Sequence, residues 1–193
     1  MQYQDNILSP SVFRKVSETL SDENLPFYYV QNTSGMNNPT DKKFEFSWSH
    51  SVYVEETVFS NVCPLLETAF LTMLDNTGQS LGKLIRIRVG LITRTPQVVV
   101  HGAHIDYPEP HKTALLYLND TNGETVIYKE RYDESSGLSN EEYLARIGEP
   151  TIDSVVQCKA NRFMWFDGLH YHTSRSQTDT DRRIVVTYNY TGS

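Results

Sequence analysis

From Leu84 onward the chain is a succession of short runs suited to β-strands, and nothing else constrains its fold as strongly. Leu84-Ile85-Arg86-Ile87-Arg88-Val89-Gly90-Leu91-Ile92 is a long strand, with apolar and polar residues alternating over part of its length. Val98–Val100, Thr113–Leu118, Thr125–Lys129, Asp153–Cys158, Arg162–Phe166 and Arg183–Tyr190 follow as further strands. Such runs separated by turn residues indicate a sandwich or barrel. The front of the chain differs. Ser9-Pro10 is a helix start, with Val12, Phe13, Val16 and Leu20 at helical spacing. Cys63–Leu74 carries Leu65, Leu66, Phe70, Leu71 and Leu74, and Asn76-Thr77-Gly78 ends it. Helices first and strands afterwards make the class α+β. The 12 Tyr and 8 Phe suit half-buried pleated surfaces.

Shorter signals fill in the rest. Phe27–Val30 and Phe44–Trp48 read as strands. Asn32–Lys42 is a loop rich in Asn, Ser, Gly, Pro and Thr, placed to lie over a site. Asn122-Gly123 between apolar runs predicts a hairpin. Tyr132–Glu149 is polar and marks an insertion near the rim, with Ser139-Asn140-Glu141-Glu142 as a capping box for one short helix. No linker divides the chain, so 1–193 is expected to form a single domain.

Composition narrows the function classes. A net charge of -7 argues against a nucleic-acid backbone or an anionic membrane as main partner. No apolar run approaches a membrane span, and the polar start Met1–Asp5 has no leader character. Cys63 and Cys158 are expected as reduced, unpaired thiols. A cytoplasmic setting follows.

The chemistry concentrates around His104-Ile105-Asp106. A His and an Asp two apart on a strand point to one face. A third ligand from a later strand completes two imidazoles and a carboxylate, the facial set that leaves open positions on non-haem Fe(II). Gly168-Leu169-His170-Tyr171-His172 offers two histidines for that role. His101 and His111 flank the region as surface or outer-sphere residues. Arg182 and Arg183 open the last strand, and adjacent strand residues face opposite ways, so one at most points inward. A buried Arg needs a partner, which a dicarboxylate supplies. Thr113 and Tyr117 share a strand face and can offer hydroxyls to an apolar pocket.

Together these residues resemble the 2-oxoglutarate and Fe(II)-dependent dioxygenases, in particular the prolyl-4-hydroxylase-like branch and its compact bacteriophage versions. The resemblance runs from about Leu84 to Tyr190. Its elements occur in order: His104-Ile105-Asp106, the strand Thr113–Asn119 ending Tyr117-Leu118-Asn119, then Asn122-Gly123-Glu124-Thr125, His172 and Arg183. The resemblance implies a double-stranded β-helix (jelly-roll) core with supporting N-terminal helices. It implies iron on His104, Asp106 and His172. Phe166-Asp167-Gly168 sets the ligand six residues after the Phe, which selects His172 over His170. It implies 2-oxoglutarate held by Arg183, which precedes the apolar Ile184, and by Tyr117, with Thr113 on the same face. Dioxygen is the co-reactant and ascorbate a candidate reductant.

The sequence departs from the family at Asn122, where a Gly is usual, and at Thr93-Arg94-Thr95, where some members carry a tyrosine. Substrate preference, including for proline, therefore does not transfer. The expected activity is hydroxylation of an unidentified peptide or small molecule in the cytoplasm, the host's if the chain is of phage origin. The competing expectation is a cupin-like metal-binding or sugar-binding β-barrel without oxygenase activity.

Overall fold

The computed structural model describes residues 1–33 and 44–193. The predicted loop at 32–42 therefore lies almost wholly outside the described residues. In chain order the elements are β1 (Gln2–Asp5), α1 (Pro10–Leu20), β2 (Tyr28–Val30), β3 (Ser47–Val54), β4 (Thr57–Val58), α2 (Cys63–Thr77) and β5 (Lys83–Thr93). There follow β6 (Lys112–Tyr117), β7 (Thr121–Arg131), α3 (Asn140–Ile147), β8 (Ile152–Cys158), β9 (Arg162–Asp167), β10 (His170–Ser174) and β11 (Arg182–Thr191).

The strands form a major sheet, in the order β1-β9-β6-β11-β5-β3-β2 with β4 on β3, and a minor sheet in the order β10-β7-β8. All pairings are antiparallel. Isolated bridges Val100–Arg175 and His104–His172 lay residues 100–104 along the free edge of β10. The expected strand at Val98–Val100 is therefore only this bridge. Val98 and Val100 remain exposed and have no sheet face to cover.

Period-two alternation sorts side chains between layers. On β11, Ile184, Val186, Tyr188 and Tyr190 face the helices, and pack with Phe70, Leu66 and Met73 of α2 and with Val16 and Leu20 of α1. Phe70 stacks on Tyr188 with ring centroids 4.3 Å apart and meets Tyr190 edge-on at 5.0 Å. The opposite face carries Leu115, Tyr117, Met164, Phe166 and Val185, which meet Ile127, Val156 and Cys158 of the minor sheet. The two sheets thus pack face to face as a jelly roll, with helices backing the larger one.

Both expected helix starts are present. The Ser9 side chain accepts from Val12 N, and Ser139 and Glu142 form a reciprocal capping box at α3. α2 ends on Gly78, whose left-handed backbone suits glycine.

One expectation needs correction. Asn122-Gly123 is not a hairpin turn but lies inside β7, and β6 and β7 belong to different sheets. The polar segment after Tyr132 packs on the minor sheet. Its Tyr143, Leu144 and Ile147 cover the outer face of the minor sheet against Tyr132, Leu169 and Tyr171.

Candidate metal centre and anion cavity

His104 and His172 are brought together by backbone pairing. Each amide donates to the other's carbonyl, at 3.0 and 2.9 Å. Ile105 turns outward into the cluster with Tyr171, so His104 and Asp106, one residue either side, face the interior. Each imidazole is oriented by a carbonyl two residues earlier. His104 Nδ1 lies 3.1 Å from Gly102 O, and His172 Nδ1 lies 3.1 Å from His170 O. Both Nδ1 atoms therefore donate, which leaves both Nε2 lone pairs free for a metal.

The ligand atoms of His104, Asp106 and His172 all lie within 4.8 Å of one another, with His172 Nε2 3.8 Å from Asp106 Oδ2. Two neutral imidazoles and one carboxylate fit a ferrous ion in donor type and in reach. His170 takes no part. A register shift between His170 and His172 separates them, and His170 Nδ1 bonds to Tyr128 O at 3.1 Å.

Burial, then the neighbouring His172, pushes the His104 pKa down to about 3, and burial also lowers that of His172. Burial opposes ionisation of Asp106, but Arg86 and the nearby imidazoles outweigh it and hold the carboxyl well below its ordinary range. The three side chains therefore stand at neutral pH in protonation states that can bind a metal.

Asp106 is held by residues that motif reasoning missed. Arg86 Nη2 donates to Oδ1 at 2.5 Å, and Asn189 Nδ2 donates to Oδ2 at 2.9 Å. Arg86 Nε also donates to Asn189 Oδ1 at 2.9 Å, which closes a triangle. Thr113 joins here, with its hydroxyl 3.3 Å from Asp106 Oδ2. His111 lies behind Thr113, its Nε2 3.3 Å from Oγ1. Its ring sits so close over Gly168 that a Cβ there would stand 2.2 Å from Nε2. His101 is not a surface residue: it is buried, 3.6 Å from a Glu45 carboxylate oxygen. Arg86 shares its face of β5 with Arg88, and no local pattern in the sequence ties it to Asp106.

Arg183 is buried and Arg182 exposed, as the alternation requires. Arg183 donates from Nε to Gly123 O at 2.8 Å and from Nη2 to Thr125 Oγ1 at 2.9 Å. No carboxylate pairs with it among the described residues. Gly123 is there for proximity: an added Cβ would meet Arg183 Cδ at 2.9 Å and Arg175 O at 3.0 Å. Glu124 pairs with Arg175 at 2.6 Å. Asn119 accepts from Ile184 N and donates to Arg182 O, clamping the backbone on both sides of Arg183.

Tyr117 is fully buried behind this group. Its hydroxyl donates to Thr125 Oγ1 at 2.7 Å and approaches Met164 Sδ at 2.8 Å, and its ring lies 5.7 Å beneath the Arg183 guanidinium. Thr125 Oγ1 thus accepts two hydrogen bonds, so its own proton is free to point elsewhere. His104, Asp106, His172, Thr125 and Arg183 line one cavity.

No family model and no curated protein matches the sequence. Solved structures do match. A prolyl hydroxylase from Trichoplax adhaerens, in complex with a hypoxia inducible factor peptide, superposes with a TM-score of 0.59 at 13% identity, over 98% of this chain and 82% of that one. A prolyl-4-hydroxylase from Pseudomonas putida gives 0.56 at 12% identity, over 98% and 90%. HygX from Streptomyces hygroscopicus, with nickel and 2-oxoglutarate bound, gives 0.57 at 15% identity, over 97% and 81%. The fold of this chain is the jelly roll of the 2-oxoglutarate and Fe(II)-dependent oxygenases.

Proposed function

We propose that the protein is a 2-oxoglutarate- and Fe(II)-dependent oxygenase that hydroxylates a C–H bond. The observation that carries this is the placement, in one cavity, of a His104–Asp106–His172 metal set and a buried, uncompensated Arg183. A ferrous ion held there supplies oxidation of a substrate C–H bond by dioxygen, coupled to decarboxylation of 2-oxoglutarate to succinate. The protein's own residues bind and orient. His104, Asp106 and His172 would hold the ion through two imidazole nitrogens and a carboxylate oxygen. Arg86, Asn189 and Thr113 fix the Asp106 carboxylate so that Oδ2 faces the imidazoles. Arg183 receives the distal carboxylate of 2-oxoglutarate through charge-assisted bonds. Thr125 adds a hydroxyl donor, because Tyr117 and Arg183 already fill its acceptor sites. Tyr117 supports the carboxylate through Thr125 and through its ring beneath the guanidinium.

A cupin-like or sugar-binding barrel would leave Arg183 with no anion to bind, a cost that burial of an unpaired charge makes large. The structures of similar fold span peptide and small-molecule chemistry: one holds a hypoxia inducible factor peptide and another hygromycin B. We assign the substrate to these classes and not to nucleic acid, given the net charge of -7. Among the described residues no helix is long and apolar enough to cross a membrane. The test is succinate formation from 2-oxoglutarate by purified protein, with and without Fe(II), beside Asp106→Ala. Iron-dependent succinate that Asp106→Ala loses supports the proposal. Metal binding with 2-oxoglutarate ignored supports the cupin-like protein instead.

A further inference from the structure

Arg88 lies on β5 two residues from Arg86, on the same inward face, and lines the cavity with His104, Asp106, His172 and Arg183. The other inward arginines make hydrogen bonds, Arg86 to Asp106 and Asn189, Arg183 to Gly123 O and Thr125. Arg88 has no hydrogen-bond or ion-pair partner among the described residues, and its Nε is buried with no acceptor. A buried donor left unpaired is costly and calls for an explanation. The guanidinium is charged all the same. Burial, then the adjacent Arg86, brings its pKa down only to about 10.

The charges around the cavity identify what is missing. Among the described residues Asp106 is its one carboxylate, and it is already paired with Arg86. In the oxygenase proposed above, 2-oxoglutarate places one carboxylate on Arg183 and the other at the metal. Arg88 remains without an anion after both are placed. Its position separates it from the cosubstrate end. Strand register sets Arg88 opposite Thr187, between Asn189, which holds Asp106, and Arg183. It lies on the β5 side of β11, where β3 follows with Ser47 and Trp48 on the cavity wall, and not on the β6 side that carries Tyr117.

We propose that Arg88 anchors a carboxylate of the primary substrate, so that the substrate is a carboxylate-bearing molecule whose reacting C–H lies a few bonds from that group. A single planar guanidinium fork matches a carboxylate. The cavity walls here are strands, with none of the clustered amides that a phosphate recruits at a helix start. The carboxylate can belong to a free amino acid or to a peptide C-terminus. This proposal rests on the oxygenase reading.

The test begins with protein loaded with Mn(II) and N-oxalylglycine, which occupy the metal and Arg183. Titration calorimetry then measures free L-amino acids, their carboxamides, and short peptides with free or amidated C-termini. Succinate release with Fe(II) and 2-oxoglutarate is followed in parallel for each compound. The expected result is binding of at least one carboxylate, weakened roughly ten- to hundredfold in its amide and in Arg88→Gln, with Arg88→Lys between them. N-oxalylglycine affinity should change far less. The free amino acids and the peptides report which source the site takes. Equal binding of acid and amide, or no carboxylate bound anywhere in the panel, overturns the proposal. So does a loss in Arg88→Gln that falls on N-oxalylglycine, since Arg88 would then be a second cosubstrate anchor. Should Arg88→Gln not fold, the acid-against-amide comparison on the unaltered protein and Arg88→Lys decide. Failure of the unaltered protein to bind Mn(II) or N-oxalylglycine sinks the oxygenase reading itself, and is seen before any carboxylate is added.

Discussion

Arg183 lies against Gly123 so closely that the glycine carbonyl accepts from its Nε at 2.8 Å, while a Cβ on Gly123 would stand 2.9 Å from its Cδ. The glycine and the arginine are one device: the bare backbone lets the guanidinium turn back onto β7. Gly123→Ala is therefore expected to displace Arg183 and weaken 2-oxoglutarate binding by about tenfold or more, from roughly 1–3 kcal/mol of overpacking strain. Mn(II) affinity should hold, because Gly123 touches no proposed metal ligand. Calorimetry with each ligand separates the two, and Arg182→Ala serves as the exposed control.

The two histidines of β10 divide by the same kind of measurement. Only His172 reaches Asp106, while His170 is turned to the Tyr128 carbonyl. His172→Ala should abolish Mn(II) binding at micromolar protein, whereas His170→Ala should leave it nearly unchanged, because His172 Nδ1 bonds to the backbone carbonyl of His170 and not to its side chain. Equal losses in both variants would refute the assignment.

How much of this was legible follows from range. His104-Ile105-Asp106 could be read because two ligands sit on one short segment and alternation carries both inward. The caps at Ser9 and Ser139 are equally local, and alternation limits Arg182 and Arg183 to one inward side chain. Arg86 and Asn189 could not be read, because their triangle with Asp106 joins three segments far apart in the chain. β1 was missed because Gln2–Asp5 is almost wholly exposed and has no apolar alternation to betray it. The far half of β3 was missed because Ser49-His50-Ser51 interrupts its pattern. Asn122-Gly123 misled because glycine in a strand serves close approach as well as turns.

Thr125 gives a prediction that distinguishes it from Tyr117. Thr125→Val removes the acceptor for both Arg183 and Tyr117 along with the donor facing the cavity. Tyr117→Phe removes one inward hydrogen bond and keeps the ring beneath the guanidinium. The valine variant should raise the KM for 2-oxoglutarate about tenfold or more, and the phenylalanine variant only a few-fold, in line with one neutral hydrogen bond of about 1 kcal/mol. A larger effect in Tyr117→Phe would mean that the phenol itself turns to the carboxylate.

Stability away from the site should divide from function. Phe70 is fully buried between α2 and the major sheet, stacked on Tyr188. Phe70→Ala is expected to cost about 3–5 kcal/mol in urea denaturation, since packed aromatic cores relax little around the void. Metal and 2-oxoglutarate affinity of the remaining folded protein should be unaltered, because Phe70 faces the helices and the cavity lies on the other side of the sheet.

Acid should loosen the N-terminal edge through Asp5. Arg162 donates to Asp5 from Nε at 2.6 Å and from Nη2 at 3.1 Å, and Lys159 donates at 2.8 Å. The Arg162 hydrogen bonds, against the opposing effect of partial burial and with help from Lys159, hold the carboxyl at about 2 against an ordinary 3.8. The folded state thus binds this proton less readily than the unfolded state does. Its contribution is whole above an unfolded value near 3.8 and is lost as pH falls toward about 2. For a group about a quarter exposed the loss is on the order of 1–2 kcal/mol after screening. Urea denaturation of the metal-free protein across that interval should show it, and Asp5→Asn should have a correspondingly shallower slope. An unchanged slope in Asp5→Asn would show that β1 is held to β9 by its backbone pairing alone, the register Gln2–Trp165 to Asp5–Arg162.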